Sequence, residues 1–231
     1  MAEALNKLAY RKLRQDIIFL TLKPGTVLST QEVVTRYEVS RTPAREAIVR
    51  LNKEGLVDVF PQSKTMVSRI DLKRIQQEWF IRKSLEVAVI DEFMKNCSLR
   101  DLESLEKSIE RQANFSGRGM FRSFFESDYE FHRRIFEIAE QLLSWETIAN
   151  VNCHYDRMRM LIMSEQTAQT EAIEEHRQIV AAMRERDVPL IKRQMVIHTE
   201  KFGLQQQAML ERYPDYFSGM SSDRQLKDSI F

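Results

Sequence analysis

The sequence predicts a mainly α-helical protein in two parts. A small module of three helices and a β-hairpin comes first, followed by an antiparallel bundle of six (or seven) helices. Three observations carry this. Apolar residues recur with a period near 3.6 through most of the 231 residues. Period-two alternation is confined to residues 56–70. Of six glycines, only Gly117, Gly119, Gly203 and Gly219 lie beyond residue 70. A long stretch poor in glycine and in strand patterning, broken by short polar connections, folds as packed helices.

The first helix is expected over residues 3–20, with Leu5, Leu8, Ala9, Leu13, Ile17 and Ile18 as its buried stripe. Lys23-Pro24-Gly25 ends it, because proline and glycine both disfavour continuation. Thr30–Tyr37 reads as a second short helix, and Glu38-Val39 as a tight turn into a third. Ser40 or Thr42 can accept a hydrogen bond from a free backbone N–H there, and Pro43 sits in the first turn, where its missing donor has no intrahelical partner. Ala44, Ala47, Ile48 and Leu51 recur at i, i+3, i+4 and i+7 and form the inward stripe. Asn52-Lys53-Glu54-Gly55 ends this helix, with glycine suited to the left-handed closing position. Residues 56–60 and 65–70 then alternate on either side of Pro61-Gln62-Ser63-Lys64, which is a hairpin or wing.

Two short helices joined by so tight a turn, followed by a hairpin, read as a winged helix-turn-helix over residues 1–70. The third helix leaves Thr42, Arg45, Glu46, Val49 and Arg50 facing outward, where guanidinium groups reach phosphates or guanine edges. Arg41, Arg45 and Arg50 are the candidates for positioning the helix and reading bases. Thr42 and Thr30 are lesser contacts, and Lys64 is a phosphate contact on the wing. The net charge of +1 is silent, but its distribution is not. Residues 1–70 carry twelve Lys and Arg against seven Asp and Glu, while the remainder carries 23 against 27. The basic excess sits on the module that would meet double-stranded DNA.

Helices are expected near 71–96, 99–114, 120–141, 143–164, 168–186 and 188–212, and residues 213–231 form a loosely ordered tail. Asp128 and His132 stand four apart on one helix and so point to one side. His176 and His198 lie about eleven residues before and ten after the turn at Asp187-Val188-Pro189. At about 1.5 Å per residue, they reach a similar height on neighbouring helices. One carboxylate and three imidazoles suit a divalent transition metal, most readily zinc, with nickel or manganese as alternatives and room left for a ligand oxygen. His154 has no partner at ligand spacing. Arg133-Arg134 and Arg157-Met158-Arg159 read as solvated helix faces.

Cys97 and Cys153 make no metal-ligand spacing and fit a reducing cytoplasm better than a disulfide scaffold. No apolar run is long enough for a membrane span. No second carboxylate or general base stands at a spacing suited to turnover. A metal-dependent enzyme of the helical-bundle type therefore ranks below a DNA-binding regulator, as does an effector-free DNA-binding protein with a structural metal.

Several segments resemble the GntR superfamily of bacterial transcription regulators, in its FadR-like branch. These are Leu22-Lys23-Pro24-Gly25-Thr26-Val27-Leu28, Val39-Ser40-Arg41-Thr42-Pro43-Ala44-Arg45-Glu46-Ala47 and Leu51-Asn52-Lys53-Glu54-Gly55-Leu56-Val57. Farther on, Arg82 with Leu85-Glu86, Asp128 with His132, Glu175-His176 and His198 resemble that branch's helical ligand-sensing domain. The resemblance implies a homodimer on a palindromic operator and a repressor answering to a small effector, often an organic acid, held beside a metal in residues 71–212. It makes Arg82 the first candidate for an effector carboxylate, with an ion pair to Glu78 or Glu86 as the alternative, and Arg157 a second candidate. Two departures stand out. Gln62-Ser63-Lys64-Thr65 replaces the family's usual glycine at the wing tip, and Ala139-Glu140-Gln141-Leu142 replaces a small residue followed by Asn.

Overall fold

A computed structural model describes residues 2–219, without the side chains of residues 2–7, 202 and 204. The chain divides into two compact units. The first contains the chain through Ile75, the hexapeptide Cys153–Met158 and the described stretch from Leu210 onward. The second contains Gln76–Asn152 and Arg159–Met209.

In the first unit, helix α1 (Ala2–Ile18) is followed by a two-residue strand, β1 (Val27–Leu28), and then by α2 (Thr30–Tyr37) and α3 (Arg41–Lys53). Ala9, Leu13, Ile17 and Ile18 of α1 are buried, whereas Leu8 is half-buried and the side chain of Leu5 lies outside the described residues. Ser29 and Glu32 close a reciprocal cap on α2. The Ser29 Oγ accepts from the Glu32 N–H at 3.1 Å, and the Ser29 N–H donates to Glu32 Oε2 at 2.6 Å. The turn into α3 passes through Glu38 in the left-handed region, φ 55°, and Ser40 holds the N-cap position without a side-chain hydrogen bond. Pro43, Ala44, Ala47, Ile48 and Leu51 are buried as the apolar spacing requires.

Strands β2 (Val57–Phe60) and β3 (Lys64–Val67) form the wing, with Val57 opposite Val67 and Phe60 opposite Lys64. The sheet has a third member, because β1 pairs antiparallel with the other edge of β3. Two residues are too few to display a period, so β1 left no mark in the sequence pattern. At the wing tip Gln62 adopts φ 57°, the conformation for which glycine is favoured.

The expected loose tail is corrected over residues 213–219. Pro214–Tyr216 makes one 3₁₀ turn, and Phe217 is 1% exposed. The Ile70 N–H donates to the Tyr216 carbonyl at 2.8 Å, and the Ser218 N–H donates to the Ile70 carbonyl at 3.0 Å. A buried aromatic and two backbone bonds are enough to dock a short segment of irregular sequence. Residues 220–231 lie outside the described residues.

Seven further helices follow the wing among the described residues. They are α4 (Leu72–Asn96), α5 (Leu99–Gly117), α6 (Phe121–Ile138), α7 (Leu142–Val151), α8 (Cys153–Ile162), α9 (Gln166–Glu185) and α10 (Val188–Arg212). The single helix expected over 143–164 is two, parted at Asn152, whose φ of −82° and ψ of 31° interrupt the helical ladder. In the second unit α5 packs against both α6 and α9. Its core is aliphatic and aromatic, with Ile90, Phe93, Leu105, Phe124, Phe131, Ile148, Met183 and Met195 almost wholly buried.

Candidate functional site

The outward face of α3 is arranged as its sequence requires. Arg41, Thr42, Arg45, Glu46, Val49 and Arg50 are all exposed. Arg50, however, is partly committed to packing. Its guanidinium lies 3.6 Å from the centroid of the Tyr10 ring, and its Nε is 3.3 Å from Glu54 Oε1. Thr30 is the half-buried first residue of α2, and Lys64 is half-buried on the wing, its Nζ 5.7 Å from the Phe60 ring centroid. Arg41 and Arg45 thus remain as the guanidinium groups of this face that no such packing holds back.

In the second unit, α6, α9 and α10 bring His132, His176 and His198 together. One nitrogen of each lies within 4.8 Å of the other two. His132 and His176 are buried, and His198 is half-buried. Every Nδ1 faces an oxygen, within hydrogen-bond geometry at His176 and His198 and at ion-pair distance at His132. Glu86 Oε1 is 3.1 Å from His132 Nδ1, Gln112 Oε1 is 2.8 Å from His176 Nδ1, and Glu175 Oε2 is 2.7 Å from His198 Nδ1. The Gln112 orientation is consistent, because its Nε2 faces the Ser127 carbonyl at 3.5 Å. With Nδ1–H donating, each ring turns the lone pair of Nε2 inward. His132 Nε2 and His198 Nε2 then face each other at 3.3 Å. His176 Nε2 is buried with no hydrogen-bond partner, as is Asp128 Oδ1, 3.7 Å away. Inward-facing lone pairs and an orphaned carboxylate oxygen are a donor set that a divalent cation satisfies, so the residues present fit a metal.

The electrostatics agree. Burial raises a carboxyl pKa, yet at Asp128 this is outweighed by Arg159 first, then by His132, His176 and Arg82, which hold it well below the usual range. At Glu86 burial is likewise overcome by Arg82 and then His132. Two buried imidazoles, His132 and His176, are shifted so as to stay neutral. Burial lowers the pKa of His132 despite Glu86, and burial together with His198 lowers that of His176 further. Asp128, His132 and His176 are thereby biased toward the deprotonated forms a metal requires.

The two effector candidates fare differently. Arg82 is at the cluster, but its Nε donates to Glu86 Oε1 at 2.8 Å with both side chains buried, so the ion-pair alternative describes it. Arg157 is not at the cluster. It belongs to the first unit, where Nη1 donates to the Ser68 carbonyl at 2.6 Å and Nη2 to Ser68 Oγ at 3.2 Å. His154, also there, accepts from the Asp71 N–H at 3.0 Å through Nδ1, which also lies 3.0 Å from Arg157 Nη2. Arg157 and Arg159 are buried rather than solvated, which corrects the reading of that run. Arg133 and Arg134 instead pair near the surface with Glu130, Glu137 and Asp101.

Sequence reasoning missed Glu86 as the His132 partner, Gln112, Glu175 and Arg159. One signal was available for the last. At 100° per residue His154, Asp156, Arg157 and Arg159 point to all sides of α8, so no purely polar face exists and burial must bring partners.

Residues 5–67 match the gntR family of bacterial regulatory proteins, and residues 79–201 match the FCD domain. The HTH-type transcriptional repressor RspR of Escherichia coli is 31% identical over 216 residues, 94% of this chain and 95% of that one. An uncharacterized HTH-type transcriptional regulator of Streptomyces ambofaciens is 35% identical over 191 residues, 82% of this chain and 79% of its own length. Among solved structures, E. coli McbR/YncC has the same fold, with a TM-score of 0.75 at 20% identity over 90% of this chain and 97% of that one. No described helix is long and apolar enough to cross a membrane. These matches span both units, and the chain belongs to the GntR family of bacterial regulatory proteins, in the branch that carries an FCD domain.

Proposed function

We propose that this protein is a homodimeric transcription repressor that binds a palindromic operator through α3 and the wing, and that its helical unit senses a small carboxylate beside a divalent metal. The observation that carries the reading is the pairing of an exposed basic face on α3 with three inward-facing imidazoles in the second unit. Arg41 and Arg45 meet bases and phosphates, Thr42 and Thr30 add hydroxyl contacts, and Lys64 meets the backbone from the wing. Asp128, His132, His176 and His198 would hold the metal, most readily zinc. When bound, it supplies a Lewis-acidic anchor for an effector oxygen. The chain's own part is to set an oxygen outside each Nδ1, to bury His132 and His176 and to turn the Nε2 atoms inward. The family is regulatory rather than enzymatic, and the cluster is read as a receptor.

In vitro selection from random duplexes tests the reading. We expect an inverted repeat to be enriched, and Arg45→Ala to weaken its binding by about 5- to 150-fold, the equivalent of one bidentate arginine–guanine contact of about 1–3 kcal/mol. Failure to enrich any duplex at low ionic strength, with or without zinc, refutes it.

A further inference from the structure

Each imidazole of the cluster turns Nδ1 toward an outer oxygen, and the carboxylate beside them, Asp128, is met from outside by a donor. Arg159 is that donor. Its Nη2 contacts Asp128 Oδ2, with both side chains buried. The guanidinium is also held from another side. Its Cζ lies 5.0 Å from the centroid of the Phe125 ring. Phe125 and Asp128 stand three apart on α6 and so share a face, which means one helix supplies both the ring and the carboxylate that fix Arg159. A guanidinium on Oδ2 ties down that oxygen of Asp128. The oxygen that remains, Oδ1, is buried and without a hydrogen-bond partner, 3.7 Å from the equally orphaned His176 Nε2.

We infer that Arg159 is the positioning residue of the cluster, holding Asp128 by Oδ2 so that Oδ1 is left facing His176 Nε2 at the edge of the three imidazoles. This rests on the proposal that the cluster holds a metal, and it reassigns the role of the arginines. Arg82 supports Glu86 behind His132, Arg157 serves the first unit, and Arg159 orients the carboxylate ligand. Loss of an outer-shell partner typically costs 10- to 100-fold in metal affinity, because the ligand it oriented is then free to turn away.

The test is the zinc affinity of the full-length protein, measured by competition with a chromophoric chelator. It compares wild type with Arg159→Gln, Arg159→Lys, Asp128→Asn, the Arg159→Gln/Asp128→Asn double variant and His176→Ala. We expect Arg159→Gln to bind zinc at least about tenfold more weakly, and Arg159→Lys, which keeps a charged donor, to recover part of the loss. In the double variant, removing Arg159 should add little to the loss from Asp128→Asn, since the arginine acts through that carboxylate. A merely structural arginine would lower the melting temperature of the metal-free protein and leave zinc affinity unchanged. Unchanged affinity, additive losses, or tighter binding by Arg159→Gln would each overturn the inference, the last by showing that the guanidinium competes with the metal. Equal zinc binding by wild type and His176→Ala would instead remove the metal proposal itself.

Discussion

Acid should weaken the first unit in part through His154, whose ring the structure holds neutral. The ring is 4% exposed, and its Nδ1 faces two donors, the Asp71 N–H and Arg157 Nη2, each at 3.0 Å. A protonated imidazole carries a hydrogen on Nδ1 and can accept from neither. Burial first, then Arg157 and Arg74, lower its pKa from 6.5 to about 3, against the opposing help of the Gly55 carbonyl. The folded ring therefore stays neutral through a window in which the unfolded ring takes up a proton. The unfolded state binds more protons there, so stability rises with pH across it. The contribution is complete above pH 6.5 and is lost progressively as pH falls towards about 3. Within the window each pH unit is worth about 1.4 kcal/mol, so lowering the pH from 7.5 to 5 should cost about 2 kcal/mol. Because pH 5 lies above the folded value, that figure depends almost entirely on the unfolded one.

The assay is urea unfolding followed by circular dichroism at pH 7.5 and pH 5, on wild type and on His154→Gln. Glutamine can accept from the Asp71 N–H and does not titrate, so the loss of stability on acidification should be about 2 kcal/mol smaller in the variant. The other buried imidazoles and the carboxylates contribute equally to both proteins and cancel in this double difference. Both tryptophans, Trp79 and Trp145, lie in the second unit, so a transition seen by circular dichroism and silent in tryptophan fluorescence reports on the first. Equal acid sensitivity of the two proteins would refute the assignment of a buried neutral role to His154.

Two further outcomes are expected. Arg157→Ala leaves the Ser68 carbonyl without its donor and opens a space at a wholly buried position, and should destabilise the first unit by about 3 kcal/mol in the same unfolding assay. Zinc affinity should stay within about twofold, and a larger loss would return Arg157 to the cluster. Gln62→Gly should relieve a left-handed side chain that costs about 1–2 kcal/mol, offset by about 0.4–1 kcal/mol of added freedom in the unfolded chain. The net is a stabilisation of about 0–1.6 kcal/mol by thermal melting, and destabilisation would show that the Gln62 side chain makes a compensating contact.

What the sequence disclosed and what it hid follow from the range of the interactions involved. The inward stripe of α3 was legible because Ala44, Ala47, Ile48 and Leu51 are set by a local period, and the burial of each matches it. Asp128 with His132 and His176 with His198 were legible as pairs, because a four-residue step and a helical hairpin are local geometry too. The meeting of the two pairs depends instead on which face α6 turns to the hairpin, with His198 66 residues from His132. Arg159 and Arg157 were illegible for the opposite reason. Their partners stand 31 and 89 residues away, and a charge is buried only when such a partner exists. Read alone, Arg157-Met158-Arg159 is a surface run, because solvation is the cheapest fate for a guanidinium with no known neighbour. The same logic explains Phe217, whose buried site is made by Ile70 far back in the chain. Two arginines two residues apart thus serve different units. Arg157 donates to Ser68 and faces His154, while Arg159 balances a buried carboxylate, so exchanging their side-chain charges for neutral isosteres should separate head stability from metal affinity.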